Sequence, residues 1–328
     1  MQKRGFLRIT IFLFLTLSET SAIAANEFQL VVENDTWLGT DRYYTNGLKF
    51  GVGHSLETLH KPMEDLLYRF TPEQFLSAEN SAEFGLFIGQ NMYTPKNIRI
   101  SDPQPFDRPW AAWLYLGGVR QLSREDRRLD TIEIDLGVVG PAAGGRWIQT
   151  EWHELIKAPK PLGWDNQLPN EPAFLISYLQ KRRFGSDTLN IVSHAGLTAG
   201  TVMTLARAGA MLRLGQNMSG FGADTIEPGG VIMQNTRKKE HYGEWFVFLA
   251  MDHRLVAHNI FLDGTVFHKS VSVDKRQHVY DLNAGLSARF GIVRLSITRV
   301  RRSEEFSTVS GGGGAQFFHS INLGLELK

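Results

Sequence analysis

From residue 27 onward the chain breaks into about a dozen short segments in which apolar and polar residues tend to alternate. They are 27–33, 45–56, 84–93, 111–123, 129–139, 172–183, 187–199, 201–213, 242–257, 276–289, 291–303 and 316–327. In "TIEIDLGV" and "INLGLELK" the alternation has period two, which puts the apolar residues on one face of a strand. Others, such as "EWFVFLAM", are apolar on both faces. Joins such as "RFGSD" and "ARFG" suit hairpin turns. Only 57–78 and 148–158 have helical character. A chain of many short strands is a sandwich, a propeller or a barrel. No repeat at blade period supports the propeller.

The first residues set the compartment. Lys3, Arg4 and Arg8 form a basic start, "ITIFLFLTL" is a short apolar core, and Ala22 and Ala24 occupy A-x-A positions. This pattern predicts a secretory signal peptide over 1–24, followed by one domain over 25–328. The apolar core is too short to span a bilayer. The chain has no Cys, which excludes disulfides and thiolate metal sites. Lys+Arg 35 against Asp+Glu 34 argues against nucleic acid as a partner. A mean hydropathy of −0.19 is compatible with a membrane barrel, whose strands carry only a weak apolar signal.

An even number of strands with both termini on the inner side makes a geometric prediction. Glu33–Asp35, Tyr44–Asn46, "NMYTP" (91–95), "DRPWAAWLY" (107–115) and "GPAAGGRWIQTEWH" (140–153) all fall on the outer rim. Six of the seven Trp (37, 110, 113, 147, 152 and 164) lie in or beside outer segments, as expected of an interfacial aromatic belt. Residues 214–240 would form an unusually long inner connection, and 258–275 either a long outer loop or a further hairpin.

Asn34, Asp35 and Thr45 sit at facing ends of adjacent strands, so their oxygens can converge. Asx turns explain such residues equally well, but hard oxygen donors also suit Ca²⁺. Gln149 and His153 are four apart in a helical segment and share one face. A His in that setting can act as a general base. "HELIK" lacks the second His of a zincin, and there is no G-x-S-x-G elbow.

The blocks "ENDTWLGTDRYYTNGLKFG", "GQNMYTP", "DRPWAAWLY", "GVVGPAAGGRWIQTEWH" and "GWDNQLPNEP", in this order, resemble the outer-membrane lipid A 3-O-deacylase family. The resemblance implies an all-β, transmembrane antiparallel barrel of about 12 strands with short helices in its outer loops. It implies a monomeric, membrane-embedded, calcium-dependent ester hydrolase of the Gram-negative outer membrane. Such an enzyme acts on the 3′-acyl group of lipid A in lipopolysaccharide from the extracellular side. The family's motifs map its catalytic groups onto Asn34, Thr45, Gln149 and His153, with Asp35 toward Ca²⁺. A basic residue after "YTP" implies a substrate contact at Lys96 or Arg99. Where the family carries a Glu six residues after the His, this chain has Pro159, leaving Glu151, Glu154 or Glu171 as alternatives. A phospholipase and a non-enzymatic pore or scaffold are the competing expectations.

Overall fold

The computed structural model describes residues 27–35, 41–55, 80–125, 127–222, 225–226, 243–307 and 313–327. The proposed signal peptide, Trp37 and the helical segment expected at 57–78 lie outside the described residues. Twelve antiparallel strands close into a barrel. They are β1 (Glu27–Asn34), β2 (Tyr43–Ser55), β3 (Asn80–Thr94), β4 (Ala111–Arg124), β5 (Arg128–Val139), β6 (Glu171–Gly185), β7 (Leu189–Gly200), β8 (Met203–Gln216), β9 (Glu244–Asn259), β11 (His278–Phe290), β12 (Val293–Arg302) and β14 (Gln316–Glu326). Each coincides with one of the twelve segments that the alternation marks. β1 pairs with β14, so the sheet has no open edge.

The segment 258–275 does not add a hairpin to the wall. It holds a short helix, α2 (Ile260–Asp263), and the two-residue strand β10 (Asp274–Lys275), which pairs with β13 (Phe306–Ser307) above the rim. A longer helix, α1 (Gly145–Ile156), follows β5.

The period of two sorts the side chains. Leu48, Leu86, Leu116, Leu136, Leu197 and Leu249 point outward and are between 43% and 65% exposed. Leaving each leucine in water forgoes about 1.5–3 kcal/mol, so the wall is built for lipid. Many of the inward positions carry charge. Lys49 Nζ lies 2.7 Å from Glu133, both buried. Arg302 forks onto Asp281 at 3.0 Å through Nε and Nη2. Arg254 bridges Asp252 and Asp281, and Arg108 reaches Glu305 at 3.3 Å. A charged lumen usually marks a pore, but here many of its cations and anions pair with one another.

The long inner connection has a place too. After β8 the chain turns into the lumen, where Met218 and Phe221 pack on Met211, Phe246 and Phe248. Arg183 and Arg213 donate to the carbonyls of Met218, Ser219 and Gly220. Further along, Ile226 N donates to Glu33 at 2.9 Å, close to the outer end of β1. The described part of this connection, residues 217–222 and 225–226, therefore turns inward into the barrel.

Candidate active site

The site grows from a helix laid against the outside of the wall. Gly144 adopts a left-handed conformation (φ 73°) and starts α1 directly after the turn Pro141–Ala143. Lys157, also left-handed, stops it, its N–H meeting the carbonyls of Glu154 and His153, with Pro159 beyond. The helix begins three residues before the expected 148, because its glycines act in docking rather than breaking. A Cβ on Gly145 would lie 2.5 Å from Ala112 Cβ and 2.7 Å from the Trp164 ring. Gly145, Gln149 and His153, spaced by four, form the buried stripe of α1. Trp147, Trp152 and Leu155 remain about half or more exposed on the rest of the helix.

Trp164 braces the stripe. It packs with Trp110, Met92, Ile98, Ala112 and Ala143, and its Nε1–H donates to Gln149 Oε1 at 2.7 Å. Gln90 on β3 donates to the Ala143 carbonyl, a second tie between wall and helix. The Trp belt is thus only partly realised. Trp110 and Trp164 are buried beneath α1, and Trp113 stacks on Tyr115 in the interior, while Trp147 and Trp152 are exposed. The clustering in outer segments reflects packing of the loop cap as much as interfacial preference.

His153 is almost fully buried. Its Nδ1 lies 2.5 Å from the Pro159 carbonyl, and its Nε2 lies 3.1 Å from Asp41 Oδ2. A carbonyl only accepts, so Nδ1 carries a hydrogen and Nε2 is the basic nitrogen. Burial lowers the affinity of this ring for a proton. The Asp41 hydrogen bond and the Pro159 carbonyl outweigh burial, and the pKa rises above the ordinary His value. Asp41 also accepts from Gln149 Nε2 at 3.1 Å. Sequence reasoning missed Asp41. It sits in the quoted "TDRYYTNG", but nothing in local spacing connects it to a helix more than a hundred residues later.

The strand ends supply the other side. A β-bulge between Tyr44 and Asn46 leaves Thr45 without a ladder partner. Tyr44 turns into the lumen, where its hydroxyl donates to Glu33 at 2.7 Å. Thr45 Oγ1 lies 2.7 Å from Thr94 Oγ1, and Asn34 Nδ2 donates to Asn46 at 3.3 Å, both at the outer end of the wall. Asp35 is buried and accepts from Arg42 N at 2.8 Å, which fixes the backbone next to Asp41. The structure therefore ties Gln149 and His153 together through Asp41, and Asp41 to Asp35 through the adjoining Arg42. Asn34 and Thr45 belong to the same strand ends, through separate contacts. Lys96 and Arg99 are exposed; their backbone N–H groups bond Asp107 and Asn97, and no hydrogen bond or ion pair joins them to His153 among the described residues. Of the acidic alternatives, Glu151 and Glu154 are exposed on α1, and Glu171 is engaged elsewhere, accepting from Val266 N and Phe267 N.

The donor set suits a hard cation: carboxylates of Asp35 and Asp41, amide oxygens and hydroxyls. No cluster of three or more His, Asp or Glu that could hold an ion occurs among the described residues. An ion here would complete its shell with neutral oxygens and water.

A solved structure, LpxR from Salmonella typhimurium, superposes with a TM-score of 0.72 at 20% identity, covering 91% of this chain and 99% of that one. The β domain of the Bordetella autotransporter BrkA covers 93% of this chain and 100% of its own, at 10% identity and a TM-score of 0.48. No curated protein sequence matches the chain. The first likeness shows the same barrel fold; the second carries no argument. The profile of the family described as outer membrane protein LpxR matches residues 7–325, nearly the whole chain, so this protein is an outer-membrane barrel of the LpxR family.

Proposed function

We propose that the protein is a lipid A 3-O-deacylase, hydrolysing the ester at the 3′-acyl group of lipid A with His153 as the base. Family membership supports an outer-membrane lipid A deacylase. The observation that carries the mechanism is the Asp41–His153–Pro159 line. Pro159 accepts from Nδ1–H in either charge state; in the charged ring Nε2–H donates to Asp41, and in the neutral ring Nε2 is the free base. A water reaching Nε2 of the neutral ring, beside rather than between the two groups, passes a proton to Nε2 as its oxygen attacks the ester carbonyl. The tetrahedral intermediate then breaks the bond to the sugar oxygen, which takes that proton back from Nε2. Between these steps the carboxylate faces an imidazolium and stabilises it, the role an orienting Asp plays beside a catalytic His. Trp164 and Asp41 clamp Gln149 from both ends of its amide, which keeps Asp41 in register with the ring.

Ca²⁺, when bound by Asp35 with Asp41 and neighbouring oxygens, would polarise the ester carbonyl and stabilise the oxyanion. Asn34 and Thr45 orient the acyl ester at the wall. Lys96 and Arg99 stand on the exposed segment after β3, where a phosphorylated sugar would pass. The extracellular rim is the working side, because lipopolysaccharide fills the outer leaflet.

The test is the lipid A mass spectrum of cells expressing the wild type or His153→Ala. A mass loss matching the 3′-acyl substituent, present only with the wild type, is the expected result. An unchanged lipid A with loss of acyl chains from glycerophospholipids would replace this reading with a phospholipase.

A further inference from the structure

The register of the wall places two cations beside this site. Asn34 on β1 pairs with His319 on β14, and His319 pairs with Arg299 on β12. Arg299, His319 and Asn34 therefore lie in one row across three strands. At about 4.8 Å per strand, Arg299 is roughly 10 Å from Asn34 along the wall. Arg301 lies two residues nearer the outer end of β12, on the same face.

That face is the lipid face. Luminal Arg294, Val300 and Arg302 are buried, whereas Arg299 is exposed and Arg301 partly so. Among the described strands, the outward positions of the outer half carry no other Lys or Arg, and no Asp or Glu. Luminal Arg254, Arg294 and Arg302 each bond a carboxylate. Arg299 instead sits over the outward Phe317 ring, its guanidinium carbon 5.4 Å from the centroid. Neither Arg299 nor Arg301 has a carboxylate partner among the described residues. A guanidinium facing acyl chains is unfavourable unless it reaches the headgroup layer, and both residues lie within the last four of β12. Paired guanidinium forks match the geometry of phosphate.

We infer that Arg299 and Arg301 form a wall-side anion subsite that binds a phosphate of the glycolipid headgroup whose acyl ester is presented to Asn34 and His153. The inference rests on the deacylase reading, and it assigns the binding register: the phosphate sits toward β12, the ester toward β2. The acyl chain and the sugar then lie on the α1 side of Asn34.

The test uses the purified full-length protein in detergent, as wild type, R299Q/R301Q and R299K/R301K. Heat-dependent gel mobility reports whether each barrel is folded. The substrates are lipid A bearing its phosphates and the same lipid after phosphatase treatment. With phosphorylated substrate, R299Q/R301Q is expected to raise KM about tenfold with kcat within about twofold, and the Lys variant to recover much of the loss. With the dephosphorylated substrate, wild type and R299Q/R301Q should behave alike. Equal KM values on phosphorylated substrate, with hydrolysis intact, overturn the subsite and leave the deacylase reading standing. If no variant hydrolyses either lipid, the deacylase reading fails, and capture of the phosphorylated lipid by immobilised protein decides the subsite. About tenfold weaker capture by R299Q/R301Q supports it; equal capture overturns it. Competition by millimolar inorganic phosphate alone would make a free anion the occupant and overturn the headgroup assignment.

Discussion

Asp41 and His153 meet at 3.1 Å although one precedes β2 and the other rides on α1, outside the wall. This contact links strand ends to helix and sets the protonation chemistry of the ring. It makes pH the most direct probe. The pKa of His153 is raised in the folded state. Activity that needs the neutral ring should rise with pH through an inflection above the ordinary value of about 6.5. The same shift means that the stabilisation is fully present below that value and lost as pH climbs through the folded pKa. A pH profile of initial rates checks the first statement. Asp41→Asn should move the inflection downward, since it removes the anion.

Asp41→Asn should also cut kcat by about 10²-fold or more, because it removes the anion that orients His153 and stabilises its imidazolium. KM should change little, because the variant keeps the size and polarity of the side chain. Steady-state kinetics on purified protein separate the two parameters.

Gly145 marks where the helix touches the wall, with Ala112 Cβ only 2.5 Å from the position of an added Cβ. Gly145→Val should lift α1 and carry His153 away from Asp41. The expected outcome is loss of most activity in a barrel that still shows the gel mobility of the folded form.

Gln149→Leu leaves the buried Trp164 Nε1–H without its acceptor. A cost of about 1–3 kcal/mol is expected for such an orphaned donor. The cost should be confined to the outer cap. Limited proteolysis of the region around α1, compared with global unfolding in urea, would show that localisation.

Lys49→Met strands Glu133 in the lumen, where the pair is fully buried. Removing one partner of a buried pair typically costs about 3–5 kcal/mol, and removing both costs much less. Unfolding midpoints of Lys49→Met and of the double variant with Glu133→Gln should differ accordingly. Calcium chelation is the complementary test at the rim: EDTA should abolish hydrolysis and readdition of Ca²⁺ restore it, leaving the unfolding midpoint of the wall unchanged.

The wall was legible because its signal is local. Period two needs only neighbouring residues, and all twelve strands follow from it. The lumen was less legible, since Lys49 and Glu133 reveal their pairing only when β2 and β5 face each other across the barrel. Residues 214–240 read as an overlong turn for the same reason: what the described ones pack against, Phe246 and Phe248 among them, is made by strands distant in sequence. At the site, Gln149 and His153 were visible through helical spacing, and Asn34, Asp35 and Thr45 through their position at strand ends. Asp41 was not, because its partner lies in another element. The bulge at Thr45 was equally hidden. It depends on the register of β3, where Met92 faces Asn46 and Tyr93 faces Tyr44.

The inward-turned segment, with the paired charges around it, also bears on how many copies a cell tolerates. An open barrel is a leak, and each additional copy weakens the envelope as a barrier to antibiotics and bile salts. A barrel whose reactive groups are placed on its outer flank meets its lipid by sideways diffusion within the leaflet. Under the proposed reaction its throughput then scales with copy number and does not depend on flow through the lumen.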